Sequence, residues 1–191
     1  MIFRPKFTIT GKVLSNIGQV EAAKAIVDNA AVVPLWEVRF QKEAMLRTVH
    51  HSTRLEGNDL TMDQAKKVIE GQSVVARARD IQEVINYRLV LDFINQKSSG
   101  RKTKSVVYTL KDLNLLHQLT MNRILPDEQV GKFRASQVVI KEDGSGKISF
   151  RPPPAVEISW QIEDLFTWLN DGPTKSLHPV LKAGIAHYEL A

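Results

Sequence analysis

The sequence predicts a mainly α fold interrupted by one β-hairpin. Apolar residues recur at spacings of three and four along most of the 191 residues. The period changes only around residues 136–150, where two short β-rich runs flank Asp143-Gly144-Ser145-Gly146. No apolar run reaches the length of a membrane-spanning helix. A hydrophobic content of 43% against 25% charged residues suits one soluble domain with a substantial core.

The elements follow in order. Residues 16–29 carry Ile17, Val20, Ala23, Ile26 and Val27 at helical spacing. Pro34 opens a longer pattern over 35–56, through Leu35, Val38, Met45, Val49, Ser52 and Glu56, at a position where a helix tolerates proline. Thr61 followed by Gln64 is a capping box, and Gly71 is a stop for the short helix between them. A fourth helix covers 79–96. A fifth starts at Thr109 and ends before Pro126. The hairpin pairs 136–140 with 147–150, and Pro152-Pro153-Pro154 closes it. A helix containing Ile158, Ile162, Leu165 and Leu169 comes next, then a turn at Asp171-Gly172-Pro173. A last helix starts at His178-Pro179 and reaches Glu189-Leu190-Ala191 with no stop signal.

Composition excludes several chemistries. Without cysteine there is neither disulfide nor thiolate metal site. The N-terminus lacks a secretory apolar core, which fits a cytoplasmic protein. The net charge is +5, yet the densest basic cluster, Lys97, Arg101, Lys102 and Lys104, shares its segment with Ser98, Ser99 and Gly100 and reads as a solvated loop. Scattered aromatics give no base-stacking platform, so nucleic-acid binding is not favoured. His50 and His51 would point about 100° apart on a helix, and no H-E-x-x-H is present, so no metal site is expected. There is no phosphate-binding glycine loop and no nucleophile elbow.

One segment stands out: His51-Ser52-Thr53-Arg54-Leu55-Glu56-Gly57-Asn58. Ser52 and Glu56 are four apart and share a helical face. Gly57 can take the left-handed conformation that ends a helix, and Asn58 suits a turn. A carboxylate in a last helical turn meets the negative end of the helix dipole, which an arginine partner would offset. From spacing alone, an exposed glutamate before a glycine cap is the favoured reading.

The segment resembles the inhibitory motif of Fic proteins, [S/T]-x-x-x-E-[G/N], through Ser52, Glu56 and Gly57. Gly131-Lys132-Phe133-Arg134 leading into Val138, Val139 and Ile140 is similar to the entry of the Fic flap hairpin, whose return strand holds Ile148. Arg151-Pro152-Pro153-Pro154 resembles the proline-rich element after that flap. Residues 177–188 resemble the helix upstream of the family's catalytic motif. The resemblance implies a Fic-like helical bundle with an inserted flap, in which an N-terminal helical region at 1–75 and the first part of the Fic core at 76–191 form one compact unit. It further implies a protein adenylyltransferase that moves AMP from ATP, with Mg²⁺, to a protein hydroxyl. Glu56 would restrain that reaction by pairing with a motif arginine in the space of the ATP γ-phosphate. Ser52 and Asn58 would help fix Glu56, and Val138, Val139, Ile140 and Ile148 would dock the target segment.

The catalytic motif H-P-F-x-[D/E]-G-N-G-R is not in these residues. In the family its histidine is the general base, its acidic residue holds Mg²⁺, and its glycines and arginines cradle the phosphates. His178-Pro179 is followed by Val180-Leu181-Lys182-Ala183-Gly184 and does not match it. The expectation is therefore the N-terminal part of a longer Fic protein, inactive by itself, with no residue of its own in a catalytic role and no productive ATP or Mg²⁺ site. Two other classes remain: a non-enzymatic interaction or inhibitor module acting on a separate Fic partner, and a basic helical nucleic-acid binder. A homo-oligomer is compatible with the sequence, and a membrane location is not expected.

Overall fold

The computed structural model describes residues 3–31, 33–99 and 107–190. Its elements are α1 (Gly11–Asp28), α2 (Pro34–Leu55), α3 (Met62–Ile69), α4 (Ala78–Ser99), α5 (Leu110–Met121), β1 (Ile140–Lys141), β2 (Ile148–Phe150), α6 (Ile158–Asn170), α7 (Gly172–Lys175) and α8 (Pro179–Leu190). A single 3₁₀ turn at Ala155–Glu157 leads into α6. The fold is mainly helical with one antiparallel two-stranded hairpin. No described helix is long and apolar enough to cross a membrane. Arg101, Lys102 and Lys104 of the basic cluster lie outside the described residues.

The chain forms two compact units, Val38–Trp160 and Met1–Glu37 with Gln161–Ala191. The core of the first unit is Val49 of α2, Leu60 of the following turn, Ala65 and Val68 of α3, and Val84 of α4. Met45, Leu46, Ile81 and Leu91 pack around it. This is the helical periodicity read directly, since each residue lies on the apolar face of its element. α3 is a short helix with strong terminal definition. Gln64 N–H donates to Thr61 Oγ1 at 3.3 Å, and Thr61 N–H donates to Gln64 Oε1 at 2.9 Å. At its far end Gly71 has φ +77°, and Arg88 donates to the Ile69 carbonyl at 2.9 Å.

α4 and α5 are tied at both ends. Asn86 of α4 is fully buried and donates to the Thr120 and Asn122 carbonyls, at 2.9 and 2.8 Å, where α5 runs out of helical partners. At the other end the Lys97 ammonium pairs with Asp112. Asp112 also accepts from the Thr109 hydroxyl at 2.8 Å. An anion in a first turn and a cation in a last turn each complement their helix dipole.

In the second unit, Thr10 caps α1 by accepting from Val13 N–H at 3.3 Å. The cap starts α1 at Gly11, five residues before the start at 16 that the sequence suggests. Phe3 meets Trp168 edge to face, with ring centroids 5.4 Å apart. His178 Nδ1 accepts from Val180 N–H at 3.3 Å at the start of α8. Its Nε2 is 2.9 Å from Glu21 Oε1, which fixes the Nε2–H tautomer. That hydrogen bond, with the charge of Lys24, holds the Glu21 carboxyl below its ordinary pKa.

Two local expectations are corrected. The hairpin is shorter than 136–140 with 147–150, pairing only Ile140 with Phe150 and Lys141 with Ile148. Continuing that register would set Val138 opposite Pro152 and Ser136 opposite Pro154, and proline has no N–H for the ladder. The chain closes the base through side chains instead. Gln137 Nε2 donates to the Pro152 carbonyl at 2.9 Å, and Arg134 donates to the Pro153 carbonyl. Asp171-Gly172-Pro173 begins the short helix α7 rather than a simple turn. A proline in a first helical turn loses no intrahelical bond.

The Lys97 contact and the Thr109 hydroxyl hold the Asp112 carboxyl below its usual range. A carboxyl lowered on folding stabilises the fold above its unfolded pKa of about 3.9, and that stabilisation is lost as pH falls through the folded value. Asp112→Asn is therefore expected to cost about 1 kcal/mol in urea unfolding at pH 7. The difference from the unsubstituted chain should shrink as pH falls below the unfolded pKa and on through the lower folded one.

Candidate functional site

The last turn of α2 places Glu56. Thr53 is buried and turns its hydroxyl back to the Val49 carbonyl at 3.0 Å. After Leu55 the helix closes in a Schellman motif. Gly57 N–H donates to the Arg54 carbonyl at 3.1 Å and Asn58 N–H to the Thr53 carbonyl at 3.2 Å. Gly57 has φ +89°, which a side chain at this position would strain. Glu56 thus occupies the helix cap, just past the final helical residue, with its side chain exposed.

The turn after it is anchored to α4. Asn58 is 4% exposed. Its amide donates to the Asp80 carbonyl and to Glu83 Oε2, both at 2.9 Å, and accepts from Leu60 N–H at 3.1 Å. Arg77, just ahead of α4, reaches three acceptors. Its Nε donates to Asp80 Oδ2 at 2.9 Å, and its Nη2 donates to Asp59 Oδ2 at 2.8 Å and to the Gly57 carbonyl at 3.3 Å. The Asp80 hydrogen bond, then the Asp80 and Asp59 charges, raise the guanidinium pKa above its ordinary value. From the α2 side, His50 Nε2–H donates to the Leu60 carbonyl at 3.0 Å, while its buried Nδ1 has no partner among the described residues.

A cleft of about 480 Å³ opens beside this turn. Ser52, Thr53, Leu55 and Glu56 form one wall, and Arg79, Glu83 and Tyr87 of α4 another. Thr120, Met121 and Ile124 complete it. Arg79 Nε pairs with Glu83 Oε1 at 2.8 Å. Met121 and Ile124 flank Arg123, whose φ of +58° marks a sharp turn after α5. The lining thus combines apolar surface with one exposed carboxylate and one ion pair. Among the described residues there is no group of three His, Asp or Glu placed to hold a metal ion.

The sequence-predicted residues separate into three roles. Ser52 and Glu56 both line the cleft. Gly57 and Asn58 shape and anchor the turn, and the Asn58 amide is committed to α4 rather than to Glu56. Val138, Val139, Ile140 and Ile148 lie on or beside the hairpin, outside the cleft lining; Val138, Ile140 and Ile148 are exposed and Val139 is half-buried. Gly131, at the hairpin's approach, has φ +71°, and a Cβ there would meet the Asn114 carbonyl at 3.3 Å. Its N–H donates to His117 Nδ1 at 2.9 Å. Sequence reasoning missed Arg77, Asp80, Glu83 and Asn86. The four-residue spacing of Arg79 and Glu83 and a lone asparagine within an apolar helix pattern were the available signals.

The sequence profile of the Fic/DOC family matches residues 107–191. Protein adenylyltransferase Fic of Drosophila mojavensis is 31% identical over 154 residues, covering 80% of this chain and 28% of that protein. A crystal structure of a Fic family protein from Desulfovibrio desulfuricans G20 superposes with a TM-score of 0.76 at 25% identity, over 98% of this chain and 53% of the other. Fic-1 from C. elegans shares the fold, with a TM-score of 0.69 at 22% identity over 94% of this chain and 53% of its own. The chain belongs to the Fic/DOC family and is homologous to protein adenylyltransferases. It spans less than a third of the length of the Drosophila relative.

No heavy atom lies within 4 Å of a Cβ built on Gly57, so its substitutions report backbone strain alone. Gly57→Val is expected to cost about 1–2 kcal/mol in urea unfolding, and Gly57→Asn clearly less, because asparagine tolerates the left-handed region. Equal costs for the two would contradict the assigned turn.

Proposed function

We propose that this chain is the regulatory and target-docking part of a protein adenylyltransferase, which transfers AMP from ATP to a protein hydroxyl. Glu56 is the restraining group. The observation that carries this reading is its placement: a carboxylate held by a rigid glycine turn at the rim of a cleft, with its own side chain exposed. Among the described residues no hydrogen bond or ion pair engages that carboxylate, so it is available to a cation. An arginine of the family's catalytic motif is the cation that the homology suggests.

The restraint acts through alignment. Transfer of a nucleotidyl group depends on in-line placement of the attacking oxygen and the leaving pyrophosphate, together with charge stabilisation. A carboxylate paired with a phosphate-binding arginine takes the place of the γ-phosphate and repels it. ATP then binds with its α-phosphate out of line, and misplacement of about 1 Å can cost on the order of 100-fold in rate. The hairpin serves the other substrate. It is two-stranded, with exposed Ile140 and Ile148, so an extended target segment can add as a further strand through main-chain pairing. ATP and Mg²⁺ belong to the complete enzyme in this reading, because the family motif that would hold them is not among these 191 residues.

The test compares two proteins. In a protein where this segment is continuous with H-P-F-x-[D/E]-G-N-G-R, Glu56→Gly should raise labelling of itself and of its targets by tagged ATP by about 10-fold or more. Equal labelling with and without the substitution refutes the role of Glu56. The purified 191-residue chain should show no labelling above background, and robust labelling would overturn the assignment of chemistry to the motif.

A further inference from the structure

Beside Asn58, Arg77 is the side chain that holds the turn presenting Glu56. Its guanidinium joins the Gly57 carbonyl, next to Glu56 in the chain, the Asp59 carboxylate two residues further on, and the Asp80 carboxylate at the start of α4. These anchors differ in character. Asp80 is 3% exposed, so its carboxylate is fixed in the structure, and Arg77 neutralises it. Asp59 is exposed and can detach at little cost. The Gly57 carbonyl belongs to the glycine cap itself. A guanidinium can serve three such acceptors in its plane, whereas a lysine ammonium is a point charge without that fork.

We propose that Arg77 is a positioning residue for Glu56: it latches the 57–59 turn to α4 and so sets how firmly the restraining carboxylate is held. The proposal rests on the reading of Glu56 as the restraining group, and it adds the element that governs restraint. Release of Arg77 leaves the turn tethered to α4 by the Asn58 amide and by the longer Asp59 N–H to Asp80 Oδ2 contact at 3.4 Å, and Glu56 is then held less firmly. Regulation could thus act on Arg77 or Asp59, at the exposed side of the turn, without touching the cleft.

The experiment has two arms. In the 191-residue chain, amide hydrogen exchange is measured residue by residue for the unsubstituted protein, Arg77→Gln, Arg77→Lys and Asp59→Asn. Arg77→Gln is expected to speed exchange at the Gly57 and Asn58 amides by about tenfold while α5 keeps its protection. Arg77→Lys should fall between the two. Asp59→Asn removes only the exposed arm and should give a smaller change at the same amides, which keeps the test decisive if Arg77→Gln does not fold. Unchanged exchange at residues 57 and 58 in the Arg77 variants, or in Asp59→Asn if those fail to fold, overturns the latch. So does uniform acceleration across α3, α4 and α5, which would mark Arg77 as a general stability residue. In a protein that also carries the catalytic motif, Arg77→Gln should raise labelling by tagged ATP and add nothing in a Glu56→Gly background. If Glu56→Gly raises labelling and Arg77→Gln does not, the positioning role is wrong. If Glu56→Gly itself has no effect, the reading of Glu56 fails, and the exchange data still decide whether Arg77 holds the turn.

Discussion

The Asn58 side chain lies buried between the end of α2 and the start of α4, and its amide uses both donors and its acceptor across that junction. A buried amide without those partners would leave unsatisfied polar groups on both sides, at about 1–3 kcal/mol each. The chain can therefore place the turn in few ways. Leu60 enters the core two residues later, and the α3 capping box begins at the next residue. The position of Glu56 follows from this junction rather than from any bond of its own carboxylate.

The surroundings of the junction show how polar groups specify a helical core. Asn86 links α4 to the end of α5, His50 links α2 to the Leu60 carbonyl, and Arg88 closes the end of α3. Each satisfies a backbone carbonyl that a helix end or turn leaves open. Hydrophobic burial by Val49, Val68 and Val84 brings the helices together, but burial has no direction. The buried hydrogen bonds supply direction, and so decide which side chains reach the cleft. His117 and His178 are committed in the same way, to Gly131 N–H and to Glu21, which gives both histidines structural roles.

The hairpin follows a different logic. Its ladder is cut short by prolines that have no N–H to give, and Arg134 and Gln137 hold its base by donating to proline carbonyls. A short, side-chain-anchored hairpin keeps unused backbone groups at its outer edges. In the proposed function those edges receive the target segment, and they lie outside the cleft beside Glu56.

Much of the architecture was legible in the sequence because it is local. Helical periodicity, the Thr61–Gln64 box, the Thr109 cap and the glycine stops at Gly57 and Gly71 depend on residues within a turn of one another, and each has its expected geometry. The length of the strands was not legible, because it depends on which residues the register sets opposite the prolines. Nor was the assembly around Glu56. Arg77 and Asp80 meet a turn some twenty residues earlier, Asn58 meets Glu83 of α4, and Asn86 meets the end of α5. The sequence by itself determined the helices, the caps and the carboxylate at the end of α2. Only the tertiary structure decided what holds that carboxylate in place, because long-range hydrogen bonds form only after burial has packed α2, α3, α4 and α5 together and excluded water from their polar groups.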